Sequence, residues 1–267
     1  MNPKPNFLPL LAATALFMSV QSSPAQVMPS ASDIVARVVE RAAKVATNDL
    51  PAKYIYEKHS LVEELDATDH VLKSTEKTYR VTLCRGLPFA RLTGVHGRQL
   101  SQSEIDQEDQ KEKEFLKKVS ARDLGKMAAR KEAWITRGLV SRYEFKVLGI
   151  DPQMERRTII LEFKPKPANP EKSIQDRVCD RLAGQIRVDE ADAEIAKLDV
   201  HLTEGFSLGW LGILGSLKEC RLQLERQRVD DAVWINSKQS VEIRGRKLFS
   251  GMHYHTTDVS KNCHTEP

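Results

Sequence analysis

The sequence predicts a mainly β protein, a curved antiparallel sheet or open barrel with helices. Three observations carry this. About eleven short runs rich in Val, Ile, Thr, Tyr and Phe recur between Gly, Pro and Asp punctuation. One long polar stretch, residues 99–134, interrupts the series and has helical character. A single amphipathic helix precedes all of it.

That first helix is expected over Ser32–Val45. Ser32 and Asp33 are capping types, and Ile34, Val35, Val38, Val39, Ala42 and Val45 recur on one face. Asn48-Asp49-Leu50-Pro51 ends it. Strands follow at Tyr54–Val62 and Val71–Leu83, with the polar segment Leu65–Asp69 as a hairpin turn, and a third at Phe89–Thr93. The insertion opens with the charge run Ser103–Glu114, followed by Phe115, Leu116 and Val119. It reads as one long helix or two shorter ones. Its charges suit a solvated face laced with pairs one turn apart, and the sharper reading is a lid over a cavity.

Strands resume at Ser141, where Tyr143, Phe145 and Val147 alternate with Glu144, Lys146 and Leu148. Arg157–Lys164 is next, then a proline-rich loop over Pro165–Pro170. Leu182–Asp189 and Ile195–Leu202 form a hairpin around Glu190–Glu194. Leu217–Val229, Ala232–Ile235, Gln239–Arg244 and Leu248–Thr257 complete the series, with a loose tail. A sheet of this size encloses more interior than its own side chains need, so it can hold an apolar ligand. The strand residues Tyr54, Tyr56, Tyr79, Phe145, Val147, Ile160, Phe163 and Trp234 are the cavity candidates, with packed core as the plainer role for each.

Gly205–Gly215 is apolar, glycine-rich and uncharged. It reads either as a strand connection or as a flap that offers Phe206, Leu208, Trp210, Leu211 and Ile213 to a lipid or membrane surface. His253 and His255 share one face of a strand, and Cys263-His264 follows, but four tetrahedral ligands are not assured and no metal site is expected. There is no G-x-S-x-G elbow, no H-E-x-x-H and no phosphate-cradling glycine loop, so no catalytic residue or cofactor is expected.

Residues 1–25 read as a cleavable signal peptide. Lys4 precedes the apolar run Phe7–Val20, whose 14 residues fall short of the ~20 needed to span a bilayer. Ser23 and Ala25 supply the small side chains for cleavage after Ala25, and no cysteine stands there to accept a lipid. Losing Lys4 from 41 basic residues leaves 40 against 37 acidic ones, mixed along the chain, which gives no argument for nucleic acid. The mature chain, 26–267, is expected to be one soluble domain in an exported compartment. Cys84, Cys179, Cys220 and Cys263 allow three complete pairings, and spacing chooses none of them.

The order of these elements resembles the outer-membrane lipoprotein-sorting proteins, the periplasmic carriers of the Lol system. The hairpin Gly184-Gln185-Ile186-Arg187-Val188-Asp189 followed by Ile195-Ala196-Lys197-Leu198 is similar to their recurring glycine, strand, Asp, turn, strand unit. Val233-Trp234-Ile235 and Arg98-Gln99-Leu100-Ser101 are similar too, and the likeness spans most of residues 31–260. It implies a half-barrel under a helical lid, with an apolar cavity for lipid or lipoprotein acyl chains, periplasmic residence and transient membrane contact. The expected function is acyl-chain binding or carriage without catalysis. The alternatives are an envelope sensor or scaffold for protein partners on the same fold, and a secreted hydrolase.

Overall fold

A computed structural model describes residues 28–48, 53–119, 135–167, 173–208, 215–231, 233–247 and 250–265. The signal-peptide reading, residues 120–134 of the insertion, and Trp210, Leu211 and Ile213 lie outside these. The chain opens with α1 (Ala31–Asn48), whose first free amides are met by Ser30: its hydroxyl accepts from Asp33 N and its carbonyl from Ile34 N. Twelve strands then form one antiparallel sheet.

The first four strands are a meander: β1 (Tyr54–Leu65), β2 (Val71–Cys84), β3 (Leu87–Val95) and the two-residue β4 (Arg98–Gln99). The turn chemistry fixes its registers. Arg85 and Gly86, then His96 and Gly97, all adopt positive φ, the pairing that a two-residue turn needs to match strand twist. At the β1–β2 turn the Asp66 carboxylate accepts from the Thr68 hydroxyl and the amides of His70 and Thr68. Those bonds hold its pKa down to about 2, led by the Thr68 hydroxyl.

A helix, α2 (Gln102–Lys118), follows with a Ser101–Glu104 capping box. Its charges are not all solvated. Glu108 is buried and accepts the amide of Leu92 at 3.0 Å. Arg91 is paired with Asp109 and with Glu112 at 2.7 Å, and Phe115 stacks on Phe89 at 5.1 Å. Arg85 donates to the carbonyls of Leu116 and Val119 at the far end. The acids of the charge run thus cover the edge strand β3, satisfying a backbone amide that the sheet leaves open.

After the one-turn α3 (Arg137–Val140), a second meander comprises β5 (Tyr143–Ile150), β6 (Thr158–Pro165), β7 (Leu182–Asp189) and β8 (Glu194–Leu202), with the short α4 (Ile174–Cys179) between β6 and β7. The last strands are β9 (Phe206–Leu208), β10 (Gly215–Asp230), β11 (Val233–Lys247) and β12 (Ser250–Thr265). The order is β4-β3-β2-β1-β12-β11-β10-β8-β7-β6-β5, with β9 paired to β10. The final strand thus joins the two meanders, and the edges β4 and β5 do not meet: the sheet is an open half-barrel.

Two differences from the sequence reading are physical. The segments expected as Ala232–Ile235 and Gln239–Arg244 are one strand. Ser237 is a bulge whose hydroxyl donates to the Glu225 carbonyl, so the polar Asn236-Ser237-Lys238 imitates a break. The tail expected to be loose is strand as far as Thr265, paired with β1 down to Tyr54. Ladder bonds and the Lys58–Asp258 ion pair at 2.8 Å hold it, and neither leaves an apolar alternation to read.

One face of β5–β8 and β10 carries the core. Leu161, Phe163, Ile186, Leu198, Val200 and Leu224 pack against Ile34, Val38, Val39 and Ala42 of α1. Each buried aliphatic contributes about 1.5–3 kcal/mol, so the helix is fixed by its apolar stripe rather than by propensity. Register continues this face across β11, β12 and β1 to Tyr56 and Val81, while Phe89 and Arg91 point from the other. The two long helices therefore serve opposite faces of the sheet.

Gly184 sits where β7 crosses β8 most closely. A Cβ there would fall on the Asp199 carbonyl oxygen, with Val200 Cα next. Gly184→Ala is expected to cost about 1–3 kcal/mol or more in urea unfolding, as overpacking does. Gly251→Ala, with nothing within 4 Å of the new methyl, is the control that stays near wild type. Equal midpoints for the two variants would refute the close-approach account.

Candidate ligand-binding site

The core does not fill the space under α1. A cavity of about 240 Å³ remains between Val35 and Val38 of α1, Leu139 and Val140 of α3, and the core face of the sheet. Tyr143 and Phe145 from β5, Phe163 from β6, and Leu198 and Leu222 from β8 and β10 form its walls. No charged side chain lines it.

The polar atoms at its border are neutralised in place. The Tyr143 hydroxyl donates to the Cys179 carbonyl at 2.6 Å. Burial first, then the neighbouring Cys179 and Asp180, push the Tyr143 phenol up, and burial likewise pushes up the Cys179 thiol. Both are uncharged at neutral pH. Arg142 binds Asp176 at 3.1 Å and also Asp180, which ties α4 to the start of β5. Tyr143 and Phe163 meet edge-to-face at 5.3 Å, so the aromatic wall is interlocked.

A second chamber of about 280 Å³ lies outside this one, next to the sheet edge β5. It shares Val35, Val140, Tyr143 and Phe145 with the inner cavity and adds Ala31, Ser32, Arg137 and Ser141. The same four side chains thus border both chambers, between α1 and α3.

What holds α1 over the cavity is the β7–β8 turn. Asp189 is buried and takes both ends of the Arg156 guanidinium, and Arg156 also reaches Asp192 at 3.4 Å. Asp192 accepts from Arg228 and from the Trp234 indole, each at 2.9 Å. Glu194, also buried, bridges Arg41 of α1 at 3.0 Å and Arg226 of β10. Arg37 donates to the Glu190 carbonyl at 2.6 Å, and Arg157 pairs with the Glu190 carboxylate. Burial alone would raise the Asp192 carboxyl. The bonds from Trp234 and Arg228 and the charges of Arg156 and Arg228 outweigh it and hold the group below its ordinary range.

Of the residues singled out from sequence, the structure brings Phe145 and Phe163 into this cavity, and Val147 packs beside it. Tyr56 and Trp234 line a different pocket of about 350 Å³, whose walls mix Val45 and Ile235 with the charged Lys58, Arg226 and Asp258. Tyr54 is buried, with its hydroxyl donating to Asp230 at 3.2 Å. Tyr79 is half-buried opposite Lys58, and Ile160 is half-buried opposite Arg187, between the core residues Ile159 and Leu161. Phe206 lies under the Arg181 guanidinium, whose carbon is 5.7 Å from the ring centre, which sets the start of the glycine-rich segment against the residue preceding β7. Leu208 pairs with Gly215. The residues that sequence reasoning did not place here, Val35, Val38, Leu139, Val140, Tyr143 and Leu198, carried a signal as amphipathic faces, but a core gives the same one.

Elsewhere, His253 is buried between Glu242 and the Asp66 carbonyl, each 3.3 Å away, and His255 faces Glu63 at 3.2 Å. Among the described residues no group of three or more His, Cys, Asp or Glu is arranged to hold a metal ion. Cys84, Cys179, Cys220 and Cys263 are all half-buried free thiols. No described helix is long and apolar enough to cross a membrane.

By sequence, no family model and no curated protein matches the chain. Solved structures similar to it include a domain assigned to the outer membrane lipoprotein-sorting proteins from Vibrio parahaemolyticus. It is 10% identical, with 87% of this chain and 93% of that one covered, and a TM-score of 0.35. A LolA superfamily protein from Nitrosomonas europaea is 11% identical, with 87% and 94% covered, and a TM-score of 0.31. The structure of MucB in complex with MucA(peri) is 10% identical, with 89% and 100% covered, at 0.25. Superpositions this loose carry no argument by themselves. The half-barrel is established by the strand order and registers of this chain.

The Asp192 network sets an acid limb. A carboxylate whose folded pKa lies below its unfolded value, about 3.9, contributes stability above that value and loses it as pH falls through the folded one. The urea midpoint is therefore expected to drop below about pH 4. Asp192→Asn should be less stable at pH 7 and lose less between pH 5 and pH 3. Parallel pH profiles for the two proteins would rule the network out as a source of the limb.

Proposed function

We propose that this protein binds the acyl chain of a lipid or lipoprotein in the cavity under α1 and carries it through the periplasm without chemical change. The supporting observation is a cavity with no charged side chain, open to the surface beside β5. An acyl chain exposed to water costs about 0.8 kcal/mol per methylene, so enclosing one needs only dry, apolar walls and a way in. The signal-peptide reading of residues 1–25 supplies the address.

A second reading, a scaffold for an envelope protein, has one observation in its favour. The edge strand β5 is uncovered by any described strand and exposes Leu148 and Ile150, which suits an added strand from a partner. Under that reading a protein partner binds and no acyl ligand does.

The two are separated by mass spectrometry of lipids extracted from natively purified protein, together with displacement of a fluorescent apolar probe by palmitate. Val140→Trp fills the shared neck of the two chambers. It is expected to weaken palmitate binding at least about tenfold while shifting stability by less than the 1–3 kcal/mol typical of overpacking, because the space is already empty. Undiminished binding by Val140→Trp, or no co-purifying lipid and no palmitate binding at all, would refute the cavity as the site. N-terminal sequencing of the exported protein is expected to begin at Gln26. A retained leader would refute the address.

A further inference from the structure

We infer that the ligand is an anionic single-chain amphiphile, inserted tail first beside β5, with its carboxylate or other anionic head held at Arg137. This rests on the acyl-cavity reading above and adds the head group, the direction of insertion and the residue that reads it.

The two chambers differ in one respect that matters for a ligand. The inner one has no charge. The outer one is lined by a single charged group, the Arg137 guanidinium, with the hydroxyl residues Ser32 and Ser141. The neck between them, Val35, Val140, Tyr143 and Phe145, is apolar apart from the Tyr143 hydroxyl, which is spent on the Cys179 carbonyl. A path that runs from one cation through an apolar neck into an uncharged chamber is complementary to an amphiphile with an anionic head. It is not complementary to a uniformly apolar or a cationic one.

The state of Arg137 supports this. The arginines around it are engaged: Arg142 with Asp176 and Asp180, and Arg181 with Glu204 at 3.1 Å. Arg137 opens α3 with an exposed side chain that makes no hydrogen bond or ion pair among the described residues. The nearest acid in sequence on α1, Asp33, accepts from the Ser30 hydroxyl at 2.6 Å and does not line the chamber. Beside it, the Lys166 ammonium donates to the Ser141 carbonyl at 2.9 Å. A guanidinium presents paired donors to a carboxylate or phosphate, so the same residue suits either anion. The size of the inner chamber, about 240 Å³, lies below the ~300–1,000 Å³ of pockets that enclose drug-sized ligands, which favours one chain over two or three.

The test holds the tail constant and varies the head. Palmitate, hexadecyl phosphate, hexadecanol and hexadecyltrimethylammonium are titrated, below their aggregation limits, against a neutral fluorescent probe bound to the mature protein. Palmitate and hexadecyl phosphate are expected to bind about two- to fivefold more tightly than hexadecanol, the range of an exposed ion pair, and the ammonium more weakly still. The preference should shrink with salt. Arg137→Gln should bring both anions to the level of hexadecanol, and Arg137→Glu should reverse the order, with unfolding midpoints near wild type because the residue is exposed. Carboxylate binding without phosphate binding, or the reverse, would name the anion and keep the assignment. Equal binding of all four by the wild type, or an anion preference that survives Arg137→Gln, would overturn it while leaving the acyl cavity standing. Failure of every tail to bind would instead overturn the cavity reading itself.

Discussion

The carboxylates of the β7–β8 turn, Asp189 to Glu194, are the tie on which the rest of this structure depends. Six arginines from three parts of the chain converge on four residues, Asp189, Glu190, Asp192 and Glu194: Arg37 and Arg41 from α1, Arg156 and Arg157 from the β5–β6 connection, and Arg226 and Arg228 from β10. Desolvating so many charges is costly, and such a cluster is weak evidence for net stability. What it provides is position. Each guanidinium has a fixed fork, so the helix, the connection and the long strand can meet the turn in only one arrangement. An apolar stripe alone would let α1 slide along the sheet. The ion pairs at its middle set where it stops.

That position has a consequence for the empty space. α1 is anchored to the turn through Arg41 and Arg37, and Ile34 lies against Ile159 and Val188. The adjacent face of the helix, with Val35 and Val38, looks toward β5 and α3 and meets a cavity rather than a core. The helix is therefore held by the turn along one face and roofs an open chamber with the face next to it. A roof fixed in this way keeps the cavity from collapsing, since the walls cannot move in to fill it.

The two edges of the sheet are treated differently. At β3, the acids of α2 reach the backbone itself through Glu108, and Arg91 and Phe89 of the strand bind the helix down. At β5 no described strand pairs with the outer edge, and Leu148 and Ile150 are exposed. A protein generally protects a free edge. The unpaired edge runs beside the outer chamber, whose walls include Tyr143 and Phe145 of β5. The charge run that reads in sequence as a solvated face is thus part of the protection of the opposite edge.

The sequence by itself determined the class of fold and most of its strands. Alternation over Tyr143–Leu148 and the hairpin from Leu182 to Leu202 was legible because one face of each strand is buried, and burial is what alternation records. It could not show the tail strand to Thr265 or the union across Ser237, because ladder bonds and bulges leave no hydrophobic trace. Nor could it separate Phe145 and Phe163, which line the chamber, from Trp234 and Tyr54, which do not. All four are aromatic residues on strands. Which of them faces empty space depends on how far α1 is drawn along the sheet, and that is decided by contacts between residues more than a hundred positions apart, such as Arg41 with Glu194. Local pattern fixes which way a side chain points, and only the assembled structure decides whether anything fills the space it points into.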